Sequence, residues 1–129
     1  MTVMASKGTL TQIPPTRARV RPEEVDAWLE LTWDPDPKVR RQAVRALCPC
    51  HVRANDERIW ERFFAMAEDG DVTVRGAIFH ALGDGSPRSL ETKVIAALEG
   101  MGHDPDPRLR RQVRRLLAQY RRTGKVNFL

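Results

Sequence analysis

Asp34-Pro35-Asp36-Pro37-Lys38-Val39-Arg40-Arg41-Gln42 returns almost letter for letter as Asp104-Pro105-Asp106-Pro107-Arg108-Leu109-Arg110-Arg111-Gln112. Midway between them stands Asp69-Gly70-Asp71-Val72-Thr73-Val74-Arg75, so the pattern recurs at a constant step of 35 residues. A fixed step of this size marks a repeat array, whose units are too small to bury their own apolar faces and must stack on one another. Within each copy the second aspartate is placed to cap a helix, and in two of the three a proline follows at the first helical position, where its missing N–H costs nothing.

Working outward, each capped helix carries an apolar stripe: Val39, Ala43, Ala46 and Leu47; Val74, Ile78, Ala81 and Leu82, stopped by Gly83; Leu109, Val113, Leu116, Leu117 and Tyr120, ending near Gly124. A second helix precedes each turn. The first opens at Pro22 with Val25, Trp28, Leu29 and Thr32; the next is capped by Asn55 and carries Ile59, Trp60, Phe63, Phe64 and Ala67; the last opens at Ser86-Pro87 with Leu90, Val94, Ala97 and Leu98 and stops at Gly100. The expectation is an all-α α-solenoid of three helical hairpins, six helices in all, over 22–124, with repeats at about 22–52, 53–86 and 87–124. Residues 1–21, with Pro14-Pro15 and no period of either kind, read as a flexible basic arm, and 125–129 as a tail.

The Asp-Pro-Asp-Pro-x-Val-Arg signature resembles the HEAT-repeat family, in the short bacterial form also found in phycobilin-lyase subunits, over about 34–124. The step is shorter than the roughly 40–47 residues usual for that class. The tetratricopeptide repeat has a comparable length, but its Trp-Leu-Gly-Tyr grammar is missing. The resemblance implies that Asp36, Asp71 and Asp106 with Arg40, Arg75 and Arg110 form a structural ladder tying each turn to its neighbour. It also implies a concave face lined by the second helix of each hairpin. The two His-Glu iron pairs of the deoxyhypusine hydroxylase branch are absent: Gly76-Ala77 and Arg111-Gln112 stand in their places.

With the apolar stripe of the second helix pointing inward, the opposite side holds three rows one repeat apart: Arg41, Gly76 and Arg111; Val44, Phe79 and Arg114; Arg45, His80 and Arg115. A fourth row is Cys48, Gly83 and Ala118. Arginine suits bidentate carboxylate recognition, and Phe79 in a groove is an aromatic anchor. The expected partner-binding set is therefore Arg41, Val44, Arg45, Phe79, His80, Arg111, Arg114 and Arg115, and the alternative for Phe79 is extra core.

The net charge of +5 conceals a linear asymmetry. Residues 1–21 and the segment from Pro107 onward contain no acid, and all 17 acidic residues fall between them. Basic ends around an acidic middle point to an acidic or polyanionic partner. Cys48-Pro49-Cys50-His51 lacks the two to four residues that zinc sites place between cysteines, and the spacing of haem attachment as well, so no metal or cofactor is expected there. Gly83-Asp84-Gly85-Ser86-Pro87 reads as a turn rather than a phosphate loop. No catalytic set is visible. No apolar run approaches membrane-spanning length, no signal-peptide core follows Met1, and one closely spaced cysteine pair suggests reduced thiols, so a cytoplasmic protein is expected.

The leading functional reading is a non-enzymatic HEAT-repeat scaffold that grips an acidic or amphipathic protein segment in its groove. The alternatives are nucleic-acid backbone binding through the same arginines, comparable in principle to HEAT-like DNA glycosylases, and a subunit of a lyase-type enzyme.

Overall fold

Residues 2–4, 10–15, 19–49, 52 and 56–126 are described by the computed structural model. In chain order the helices are α1 (Pro22–Leu31), α2 (Pro37–Leu47), α3 (Glu57–Met66), α4 (Val72–Gly83), α5 (Glu91–Met101) and α6 (Pro107–Thr123). They pair as hairpins α1/α2, α3/α4 and α5/α6, and the second helices α2, α4 and α6 lie side by side as one layer. The first helices form the other layer: Arg58 of α3 reaches Asp26 of α1, and a cleft between α3 and α5 is lined by side chains of both. This is the all-α solenoid expected from the repeats.

The repeated turns are built by their own aspartates. Asp36 Oδ1 accepts from the Lys38 amide at 2.9 Å, Asp71 Oδ1 from Thr73 and Val74 at 2.8 and 3.2 Å, and Asp106 Oδ2 from Leu109 at 2.8 Å. Each satisfies donors that the first helical turn leaves unpaired. The first aspartate of each pair closes the turn ahead of the cap: Asp34, Asp69 and Asp104 each accept the amide of the residue two further on at 2.9 Å.

The ladder between repeats runs through these first aspartates, which corrects the assignment of Asp36, Asp71 and Asp106 to it. Arg40 Nε and Nη2 both lie 3.0 Å from the Asp69 carboxylate, and Arg75 binds Asp104 in the same forked manner at 2.7 and 3.1 Å. The reason is geometric. A capping carboxylate is already turned inward onto its own helix, whereas the first aspartate keeps its oxygens toward the preceding repeat. Each arginine also spans its own turn, with Nη1 donating to the carbonyl of Asp34, Asp69 or Asp104. Among the described residues Arg110 makes that backbone bond and no ion pair with a carboxylate.

One core runs through all three hairpins, with Trp28, Leu31, Val44, Leu47, Phe63, Met66, Val74, Ile78, Leu82, Val94, Leu98 and Val113 fully buried. Several boundaries differ from expectation. Asp56, one residue past Asn55, caps α3 by accepting from the Arg58 amide, while Asn55 lies outside the described residues. Arg58 also bonds the same carboxylate through its side chain, and these bonds hold Asp56 below the usual carboxylate range. The charge-assisted contact explains why the acid is chosen over the amide. Helix α4 includes Gly83, and the φ of 106° falls on Gly85. Helix α5 follows a single 3-10 turn at Arg88–Leu90 and passes Gly100 to Met101. Gly124, at φ 72°, does end α6.

The two flanking segments also depart from their expected irregularity. Within 1–21, strands β1 (Thr2–Met4) and β2 (Leu10–Gln12) pair antiparallel, with β2 lying against α1, and Val20 is buried. In the tail, Val126 turns back into the core at 3% exposure. Both additions are too short to show a period in sequence.

Candidate functional site

The two helix layers differ in charge. Helices α2, α4 and α6 contain no acidic residue, yet they carry Lys38, Arg40, Arg41, Arg45, Arg75, Arg108, Arg110, Arg111, Arg114, Arg115, Arg121 and Arg122. The acids of the helices lie in the other layer: Glu23, Glu24, Asp26 and Glu30 on α1, Glu57 and Glu61 on α3, Glu91 and Glu99 on α5. The helical part of the acidic middle therefore folds into an acidic layer packed against a basic one, while the turn aspartates stand at the N-termini of the basic helices. Because first and second helices alternate along the chain, net charge per segment could not show this. Sorting charges by helix within each repeat would have.

Of the expected groove residues, Arg41, Arg45, His80, Arg111, Arg114 and Arg115 are exposed on the α2–α4–α6 layer. Arg41, Arg45, Arg111 and Arg115 have no carboxylate within ion-pair distance among the described residues, leaving their guanidinium groups to solvent. Arg114 is partly committed, since its Nε donates to the Gly102 carbonyl at 2.7 Å and closes the end of α5. Two expected members are not on the surface. Val44 is wholly buried and Phe79 is 8% exposed, so neither serves as a groove anchor. Helix α4 sits between α2 and α6 and packs closely on α2, so positions at the side of the inward stripe are covered as well. The sequence signal was present: Val72-Thr73-Val74-Arg75-Gly76-Ala77-Ile78-Phe79 is apolar nearly all round, the mark of a flanked helix.

Cys48, expected on the same outward side, is 2% exposed and ends α2. Its sulfur lies 3.5 Å from Asp84 Oδ2, and His80 Nε2 lies 3.5 Å from that same oxygen. Sequence reasoning considered Cys48 and His80 but missed Asp84. The repeat step gives the clue, since Cys48 aligns with Gly83 and so faces the end of α4. Cys50 and His51 lie outside the described residues.

Two further polar contacts are particular to the first pair of repeats. Arg62 donates to Thr32 Oγ1 at 2.9 Å and to its carbonyl at 3.1 Å, and its guanidinium lies 3.5 Å from the Trp33 ring centroid. Burial lowers the Arg62 pKa from its ordinary value. Between α3 and α5 a cleft of about 500 Å³ is lined by Phe64, Ala67, Ala97 and Gly100, with Arg75 and Asp104 at one end. Its polar lining is Glu68, Asp69, Arg75, His103 and Asp104, of which Asp69, Arg75 and Asp104 are engaged in the ladder. No helix among the described residues is long and apolar enough to cross a membrane.

No curated protein and no solved structure matches the chain. The sequence model of the family described as HEAT repeats matches residues 25–122, spanning all six helices but for the first turn of α1 and the last residue of α6. With the hairpins, the stacked layers and the arginine–aspartate ladder in place, the chain belongs to the HEAT-repeat family.

Proposed function

We propose that this HEAT-repeat protein is a non-enzymatic scaffold that binds an acidic protein segment across its α2–α4–α6 layer. HEAT repeats generally mediate protein interactions, and the observation that carries the finer reading is the acid-free layer whose Arg41, Arg45, Arg111 and Arg115 pair with no carboxylate among the described residues. Guanidinium forks in such an array offer bidentate bonds to successive carboxylates. Of the two partner chemistries expected, acidic and amphipathic, the first is favoured. Val44 and Phe79 are in the core, so the face presents charge and His80 rather than an apolar anchor. A cytoplasmic setting belongs to the same proposal.

The nucleic-acid alternative gains one argument. The acids of the helices lie on the other layer, so a phosphate backbone approaching α2 and α6 would meet helices whose charged side chains are all basic. Titration with a labelled glutamate-rich peptide and, in parallel, with a 20-base-pair duplex separates the two. The expected result is peptide binding weakened at least tenfold by Arg111→Glu with Arg115→Glu, at unchanged helical content. Duplex binding should be weak and vanish near physiological salt. Tight duplex binding with a log–log salt slope steeper than about −4, hence at least four neutralised phosphates, would promote the nucleic-acid reading.

A further inference from the structure

At the C-terminal ends of α2 and α4, on the edge of the layer opposite the aspartate turns, three metal-ligating side chains meet. The Cys48 Sγ to Asp84 Oδ2 and His80 Nε2 to Asp84 Oδ2 separations are both 3.5 Å, and all three ligand atoms lie within 4.8 Å of one another. We propose that Cys48, His80 and Asp84 form a binding site for a zinc-class divalent metal ion, with a fourth coordination position open to solvent.

The spacing fits the ion. Zinc lies about 2.3 Å from thiolate sulfur and about 2.0–2.1 Å from imidazole nitrogen and carboxylate oxygen, which in a tetrahedron sets the S···O edge near ~3.5 Å and the N···O edge near ~3.3 Å. Both observed edges need almost no adjustment to match. The donor set excludes the hard ions: calcium and magnesium take oxygen ligands, whereas one thiolate, one imidazole and one carboxylate select zinc or its softer first-row neighbours. Charge balances too, since thiolate and carboxylate together neutralise a divalent cation. On binding, the Cys48 thiol loses its proton to solvent, and the thiolate sulfur, the neutral imidazole nitrogen of His80 and the carboxylate of Asp84 each donate a lone pair to the metal.

The backbone prepares this geometry. Cys48 leaves helical conformation at φ −55°, ψ 143°, its N–H donating to the Arg45 carbonyl and its own carbonyl accepting from the Val52 amide. Asp84 ends α4 with its N–H donating to Ala81. Gly85 then turns at φ 106°, and an added Cβ there would lie 3.5 Å from the Pro49 side chain, so the two loops abut. The sulfur forms the floor at 2% exposure, and His80 and Asp84, with side chains 56% and 24% exposed, leave a solvent-facing entry. The ion would tie the first repeat to the second at the edge where no Arg–Asp pair does so.

His80 also stands in the face proposed for the partner, so the test uses the metal alone. Cobalt(II) added to the reduced full-length chain should give a thiolate-to-cobalt charge-transfer band and tetrahedral d–d absorption, displaced by one equivalent of zinc, and zinc should raise the melting temperature. His80→Ala and Asp84→Asn should each weaken zinc at least tenfold with unchanged helicity, and Cys48→Ser should remove the charge-transfer band. Because Cys48 is buried and its variant can lose stability, the two surface variants decide the matter. No saturable binding below about 0.1 mM, or binding that survives His80→Ala combined with Asp84→Asn, overturns the site. Loss on Cys50→Ser with none on His80→Ala likewise overturns it by moving the metal to the Cys48–His51 segment.

Discussion

Asp34 and Asp69 occupy the same place in successive turns, yet among the described residues only the Asp69 carboxylate meets an arginine, Asp34 receiving Arg40 on its carbonyl. The Asp69 carboxylate takes a forked bond from Arg40 and the Asp71 amide, whereas Asp34 accepts the Asp36 amide on one oxygen and, among the described residues, leaves the other buried without a partner. Asp69→Asn should therefore cost about 2 kcal/mol, the worth of a hydrogen bond to a charged group, while Asp34→Asn should change stability by less than about 0.5 kcal/mol. Urea denaturation of the two variants checks the difference, and equal costs would contradict the ladder as described. Phe79 makes a second case. At 8% exposure its truncation to alanine should cost about 3–5 kcal/mol, and Arg115→Ala, on the solvent side of α6, almost nothing. A Phe79→Ala protein that melts like the parent would return this residue to the surface. The turn aspartates were legible as a class from their spacing. Which of each pair would bridge repeats was not, because that depends on the direction a carboxylate faces once its cap is made.

Helix positions were readable because capping and apolar period agree: Pro22, Pro37 and Pro107 begin α1, α2 and α6 as their sequence context demands. Boundaries set by glycine were read less well. Gly83 and Gly100 keep helical backbone, and the chain leaves α4 at Asp84, one residue ahead of the positive φ at Gly85, and α5 at its C-cap Gly102. The face of α4 was misassigned because a helix flanked on both sides buries more than one stripe. Acid stability belongs to this scale, since the ladder joins α4 to the turn before α6. Burial alone would raise the Asp104 carboxyl, but hydrogen bonds from Arg75 and the Asp106 amide, with the charges of Arg75 and Arg110, outweigh it and hold the pKa below its ordinary value. A depressed folded-state pKa contributes stability that is full above the unfolded value, about 4 for aspartate, and is lost as pH falls through the folded value. Melting temperature should thus fall on acidification below about pH 4, and Asp104→Asn should flatten that limb while lowering stability at neutral pH. An unchanged acid limb would remove Asp104 from the titrating set.

For the molecule as a whole, the three hairpins share one core. The α5/α6 hairpin packs on α4 through both of its helices, supplies Asp104 to Arg75, and is followed by Val126, which returns to the interior. In a solenoid, stability is a sum of weak units and strong interfaces, so removing one interface from a three-unit array takes away about half of what couples it. A chain ending at Ser86 would expose the apolar side of α4 and leave the Arg75 guanidinium with only its backbone bond to Asp69. The expected outcome is a truncated protein with reduced helical signal and a broad, non-cooperative melt, and with amide protection lost in α3 and α4 as well as in the deleted part. A sharp melt near the full-length temperature would mean that α1–α4 already form a self-sufficient unit, and the third hairpin would then be an appendage available for partner binding rather than a part of the common core.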